Sequence, residues 1–452
     1  MTATSTVVTP QRYTPEVQGR PASAGEARWH PATRLAFRFC FVYFGLYVLL
    51  TQMLGAMVVL PRPRIQPLGI LGPLRAPVFW VGAHVLGIAR PFSEQLTGSG
   101  DKLFDWVQVV TIALAALVAT AIWSAIARRR LNHDRLYAGF RIFLRLALGT
   151  TMLSYGFIKV FPLQMPSPSL TRLLEPFGSF SPMGVLWASI GASQSYEMVV
   201  GAAEVAGGLL VMIPATTKIG AMLCLVDTAD VFALNMTYDV PVKLFALHLM
   251  LMSLVLIAYD ARGLVNVFLR QRVDRLRPEP RLTTTSRAHR IAVGLQVAYA
   301  LYVATIFLIG GMRNRARRDA AGSRSPLYGI WEVRAMTIDG VEHPPLVTDA
   351  ARWRRMLFQT PRGVSVQRMN DSVSTMLVKI DTAARTMSVT ALPDTNPPKQ
   401  TLTYARPERE RLVLDGTLDG HVLHVELSYR DPEKFPLRTR GFNWVQERPF
   451  NR

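Results

Sequence analysis

Long apolar runs, broken at turn residues, fill the first two thirds of the chain. About 20 consecutive apolar residues are enough to cross a bilayer. Runs near that length occupy about 35–59, 103–127, 140–161, 196–213, 219–236, 242–259 and 291–311, which predicts seven membrane helices. A shorter run at 78–88 lies within a Pro- and Gly-rich loop at 60–102 and predicts an interfacial or re-entrant piece. Residues 182–190 predict a short surface helix in the loop 162–195. From 319 onward the period changes. Apolar and polar residues alternate in Trp331-Glu332-Val333-Arg334-Ala335-Met336 and in His421-Val422-Leu423-His424-Val425-Glu426-Leu427. Turn signals recur at Asp339-Gly340, Asp381-Thr382, Asp415-Gly416 and Asp419-Gly420. That alternation predicts about eight short strands in a barrel or sandwich. The expected fold class is an α-helical integral membrane protein with a C-terminal antiparallel all-β domain.

Ionisable residues interrupt the apolar runs at helical spacing. In the third run Arg145, Met152, Tyr155 and Lys159 share one stripe. In the fourth, Glu197, Gly201, Glu204 and Gly208 share another, and the glycines admit a neighbouring helix close beside the carboxylates. Asp227 and Asp230 lie one turn apart in the fifth. Asn235, Tyr238, Asp239 and Lys243 surround the following turn, and His248 lies in the sixth. A charge inside a bilayer costs several kcal/mol unless it faces a partner or a cavity. Two readings stand. Spans three to six enclose a polar pocket, or the charges pair internally, with Asp227 and Asp230 against Arg145 and Lys159, and only hold the helices in register. Thr97-Gly98-Ser99-Gly100-Asp101 has no strand before it and reads as a plain turn.

Composition narrows the function classes. The 452 residues are 50% hydrophobic and 18% charged, too apolar for an ordinary soluble protein. The net charge of +20 is carried mostly by arginines beside the apolar runs, including 128–130, Arg135, Arg270, Arg272, Arg275 and Arg277. These mark cytoplasmic loops rather than a nucleic-acid surface. With seven spans both basic loops share one side, which predicts a bacterial inner-membrane protein with a cytoplasmic N-terminus and an extracytoplasmic β domain. The polar pocket would then open outward. Arg313, Arg315, Arg317 and Arg318 after the last run oppose that orientation. The expected plan is a disordered cytoplasmic tail (1–33), two spans with an extracytoplasmic loop (34–139), a four-helix core (140–262), a basic loop with the seventh span (263–318) and the β domain (319–452).

Cys40 and Cys224 lie inside apolar runs and no CxxC is present, which argues against a disulfide framework or thiol redox pair. His248 has no second histidine placed for bis-histidine haem ligation. His421 and His424 would face opposite sides of a strand, so no metal set is expected. No nucleophile elbow, P-loop or dinucleotide fingerprint occurs in the required context, and a non-catalytic role is expected.

Three stretches carry a family resemblance: RLALGTTMLSYGFIK from Arg145 to Lys159, Glu204-Val205-Ala206-Gly207-Gly208-Leu209-Leu210, and 235–243 from Asn235 to Lys243. With them, residues 140–262 resemble the DoxX/DoxD-like family of bacterial membrane proteins. The resemblance implies a four-helix membrane core. Some relatives are small subunits of quinone-linked oxidases or thiosulfate:quinone oxidoreductases. It therefore implies an accessory redox-linked protein holding a quinone or lipid-like ligand, with Lys159, Glu204, Asp227, Asp230, Asn235, Asp239 and Lys243 at its polar end and a respiratory or envelope protein as partner. A proton-coupled transporter and an envelope assembly protein are the alternatives. The extra spans and the β domain depart from the short family pattern. In the β domain, Gly329-Ile330-Trp331 resembles the G-x-W that opens lipocalin barrels, and Arg440, four residues before Trp444, would stack on that tryptophan. Otherwise the domain is a small barrel or sandwich filled by its own side chains.

Overall fold

The computed structural model describes residues 29–59, 67–270, 277–321, 324–391 and 400–451. Most of the predicted N-terminal tail, and Arg272 and Arg275, lie outside the described residues. The helices are α1 (Pro31–Leu50), α2 (Met53–Met57), α3 (Gly72–His84), α4 (Leu103–Ile126), α5 (Asp134–Val160), α6 (Leu170–Leu174), α7 (Pro182–Ala192), α8 (Gln194–Met212), α9 (Thr217–Thr237), α10 (Lys243–Ala258), α11 (Ala261–Phe268) and α12 (Ser286–Ala321). Six of them, α1, α4, α5, α8, α9 and α12, are long and apolar enough to cross a membrane. The chain is thus a multi-pass membrane protein. α10 has 16 residues, about 24 Å of helix, and is followed by α11 after an 83° bend, so the count among the described residues is six or seven.

α5 is the hub. Its Leu144, Ala147, Leu148, Met152 and Leu153 belong to the main apolar core together with Phe44 and Tyr47 of α1, Met212 of α8, Cys224 of α9, Met252 of α10 and Val303 of α12. It starts six residues before the apolar run, at Asp134, and it buries the guanidinium of Arg141. Arg141 donates to both carboxylate oxygens of Glu279 (2.9 and 2.6 Å) and to the carbonyl of Leu256. α4 is the opposite case. Its Leu117, Val118, Ile122 and Ile126 are exposed, as a lipid-facing helix requires.

The glycine stripe of α8 meets α5 as its spacing predicts. A Cβ at Gly201 would lie 2.6 Å from the Val160 nitrogen and 2.7 Å from the Gly156 carbonyl oxygen, and one at Gly208 2.9 Å from the Gly149 carbonyl oxygen. Only glycine lets the two backbones approach this closely. α12 spans 36 residues, about 54 Å, well beyond the roughly 30 Å hydrocarbon core. Arg313, Arg315, Arg317 and Arg318 therefore ride on the last turns of one continuous helix, where Arg318 donates to the Pro162 carbonyl at 2.9 Å.

The β domain comprises β1 (Gly329–Ile338), β2 (Val341–Glu342), β3 (Trp353–Thr360), β4 (Gly363–Arg368), β5 (Val373–Asp381), β6 (Thr386–Ala391), β7 (Gln400–Glu408), β8 (Arg411–Leu418) and β9 (His421–Arg430). Each long strand pairs antiparallel with the next, and β9 pairs back on β1. The result is an eight-stranded up-and-down barrel, with two-residue β2 as a flap on β1. Its interior is occupied by side chains including Trp331, Met356, Phe358, Val366, Met387, Leu414 and Val425. A last short helix, α13 (Pro436–Thr439), follows the barrel.

The G-x-W start of the barrel is built as the motif requires, with one correction. Gly329 has φ +139°, and a Cβ there would meet the Tyr429 ring at 2.2 Å, so glycine is needed. Trp331 is fully buried and its indole N–H donates to the Leu327 carbonyl at 2.8 Å. The guanidinium over its ring belongs to Arg406, 5.5 Å from the centroid, not to Arg440. Arg440 lies instead over Phe450, and Trp444 is 91% exposed. β7 does not pair with the tryptophan's strand; closure of the barrel through β9 on β1 brings Arg406 over the ring, whereas the C-terminal segment follows α13.

The barrel is seated on the membrane part through α6. Leu170 packs against Ile330 and Leu357 on the outer face of the barrel, and its N–H donates to Gln359 Oε1 at 2.8 Å. Arg438 of α13 donates to the Pro168 carbonyl at 3.1 Å.

Candidate functional site

α5, α7, α8, α9 and α10 line a cavity of about 120 Å³ at the end of the core nearer the barrel. Its walls are mostly apolar: Met152, Leu186, Ile190, Val200, Val231, Leu234, Phe245 and Leu249 contribute. Its polar end is made by Tyr155, Lys159, Glu204, Asp227, Asp230 and Asn235. These six are brought together because the stripes on α5 and α8 face each other across the glycine contact, while α9 turns Asp227 and Asp230 toward the same space.

The charges pair differently from the expected pattern. Lys159 Nζ pairs with Glu204 Oε1, not with an aspartate of α9, and both side chains are buried. The close α5–α8 approach decides this, since it leaves Glu204 the carboxylate facing Lys159. Asp227 Oδ2 and Glu204 Oε2 are buried without a hydrogen-bond partner. Asn235 donates to the Val242 carbonyl at 3.3 Å, fixing the turn into α10. The Tyr155 hydroxyl accepts from Gln52 at 3.4 Å.

The other six expected site residues lie elsewhere. Arg145 is two turns or more from the cavity and donates to the carbonyls of Val211 (2.9 Å) and Met212. It caps the C-terminus of α8, where a cation is favoured. Glu197 is fully buried, and its Oε1 accepts from the backbone N–H of Gln164 (3.1 Å) and Met165 (3.0 Å). That carboxylate ties down the segment after α5. Tyr238 is outside the cavity lining, and Asp239, at φ +52°, is exposed and pairs with Lys243 at 2.9 Å. His248 points to α1. Its ring stacks on Tyr47 with centroids 3.7 Å apart, its Nε2 meets the Tyr43 hydroxyl at 2.7 Å and its Nδ1 lies 2.6 Å from the Leu244 carbonyl oxygen.

Several lining residues carried no signal in the sequence. Gln164 and Met165 come from the segment after α5, and Leu186, Trp187 and Ile190 from α7. α7 is held over the cavity by close packing: a Cβ at Gly191 would sit 2.3 Å from the Pro166 carbonyl oxygen. Asp101, in the turn at 97–101, is more than a turn residue. It accepts from the N–H of Lys243 (2.7 Å) and of Leu244 (2.9 Å), and so caps α10 at the wall of the cavity. The Gly-Asp pattern at 98–101 suits such a cap, but its partner lies over 140 residues away.

No family model matches the chain, and no solved structure matches it. Among curated proteins it is similar to the uncharacterized protein YwoB of Bacillus subtilis (strain 168), 28% identical over 90 residues. That similarity covers 20% of this chain and 58% of the Bacillus protein.

Proposed function

We propose that the chain is an accessory, redox-linked protein of the bacterial inner membrane that holds a quinone or lipid-like molecule in this cavity. The observation that carries the reading is a mostly apolar lining that also holds Lys159, Glu204 and Asp227, with Lys159 paired to Glu204. An amphipathic ligand matches such a lining, because ligand sites are mostly apolar with a few polar groups that orient the ligand. The core would be of DoxX type and the barrel lipocalin-like. The basic loops favour a cytoplasmic N-terminus.

The test is extraction of the purified, detergent-solubilised full chain with organic solvent, followed by quantification of quinones and lipids per chain. Stoichiometric quinone or one enriched lipid in the wild type, lost in Asp227→Ala at an unchanged melting temperature, supports the proposal. Equal, non-stoichiometric lipid in both overturns it and leaves the buried charges as structural pairs.

A further inference from the structure

Three buried side-chain oxygens that line the cavity lack a hydrogen-bond partner: Glu204 Oε2, Asp227 Oδ2 and Gln164 Oε1. All three are acceptors. Of the donors beside them, Lys159 holds Glu204 Oε1, one N–H of Asn235 the Val242 carbonyl and the Thr228 hydroxyl the Cys224 carbonyl, while the Tyr155 hydroxyl accepts from Gln52 and keeps its own hydrogen. Asp230 adds a further acceptor at the mouth. One ammonium thus faces three carboxylates, so acceptors outnumber cations at the polar end. A buried acceptor without a partner is costly, and a ligand that donates to it relieves that cost.

Resting on the reading of this cavity as an amphiphile site, we infer that its occupant presents a hydrogen-bond-donating head to Glu204 and Asp227. The head is a hydroquinone or an ammonium on an apolar tail, rather than an oxidised quinone or an anionic lipid. The two hydroxyls of a hydroquinone would donate to Glu204 Oε2 and Asp227 Oδ2, with the tail among Val231, Leu234, Phe245 and Leu249. The site then selects one redox form of a carrier by binding alone, without a chemical step in the chain. Its last lining residue, Leu249, lies 80 residues before the first barrel residue, Gly329, yet the segment after α5 lines the cavity with Gln164 and Met165 and leads into α6, whose Leu170 bonds Gln359 of the barrel.

The test titrates the full chain in detergent with decylubiquinol, decylubiquinone, dodecylamine and dodecanoate. The expected result is decylubiquinol binding at least about tenfold tighter than decylubiquinone, the worth of one hydrogen bond to a charged group. Such a ratio raises the midpoint potential of the bound couple by about 30 mV. Glu204→Gln and Asp227→Asn should each bring the ratio toward one, because an amide also donates to a quinone carbonyl. Asp239→Asn, outside the cavity, should leave it unchanged. Dodecylamine displacing the quinol, with dodecanoate inert, would assign the same donor chemistry to an ammonium head. Equal or tighter binding of the quinone, or a ratio that persists in both variants, overturns the inference and leaves the cavity an amphiphile site. Binding of none of the four overturns that reading and the inference together.

Discussion

Lys159 of α5 and Glu204 of α8 form a buried ion pair beside the contact of Gly156 with Gly201. The glycines and the charges are one device: the backbones approach because no side chain separates them, and this approach brings the ammonium to the carboxylate. Removing one partner leaves the other charge buried and alone, which typically costs about 3–5 kcal/mol. Lys159→Met should therefore lower the melting temperature of the detergent-solubilised protein sharply. Lys159→Met with Glu204→Met should recover most of the loss. A double variant as unstable as the single one would show that the pair does not hold the helices.

The glycine contact makes a second, independent prediction. Gly201→Val places a side chain against the Val160 and Gly156 backbones, which have no flexible end to move aside. Overpacking of this kind costs about 1–3 kcal/mol. Gly45→Ala, in the interior of α1 where a Cβ meets nothing within 4 Å, should be stabilising by up to about 1 kcal/mol. Thermal unfolding of the two variants side by side checks both.

Glu197 holds the segment that closes the cavity, through two backbone amides. Glu197→Ala should leave the spans intact and release 162–169. Hydrogen exchange at the Gln164 and Met165 amides should accelerate by at least about tenfold, since a local hydrogen bond to a charged group is lost. Unchanged protection would place the tether elsewhere.

In the barrel, Trp331→Ala removes its largest buried side chain and should cost about 3–5 kcal/mol. Arg406→Ala removes an exposed cation over that ring and should cost about 0.5–1 kcal/mol. Arg440→Ala should leave barrel stability unchanged, because Arg440 contacts Phe450 instead. Denaturant unfolding followed by tryptophan fluorescence separates the three.

One pH dependence lies outside the membrane. The hydrogen bond to Asp415, 2.6 Å from His424 Nδ1, raises the His424 imidazole above its ordinary value near 6.5, and Glu426 adds to the effect. A raised folded pKa contributes stability that is fully present below about 6.5 and is lost as pH rises through the folded value. Imidazole NMR should show His424 titrating above an ordinary histidine. Asp415→Asn should bring it down and flatten the corresponding slope of melting temperature against pH above about 6.5.

The polarity pattern alone determined the two-part architecture, the positions of the spans and the number of barrel strands, because period 3.6 and period 2 dictate which faces can be buried. It also put Tyr155, Lys159, Glu204, Asp227, Asp230 and Asn235 among the candidate site residues, since a charge in an apolar run must find a partner or a cavity. What it could not determine was partnership. Arg145, Glu197 and His248 obey the same rule as Lys159, yet they satisfy it with a helix end, two loop amides and a tyrosine hydroxyl. Arg440 was the nearer guess for Trp331, but strand order brought Arg406 there. Asp101 found its partners at Lys243 and Leu244. Burial of a polar group is a local demand written in the sequence, whereas the group that meets it is chosen by helix packing and strand pairing, which only the tertiary structure decides.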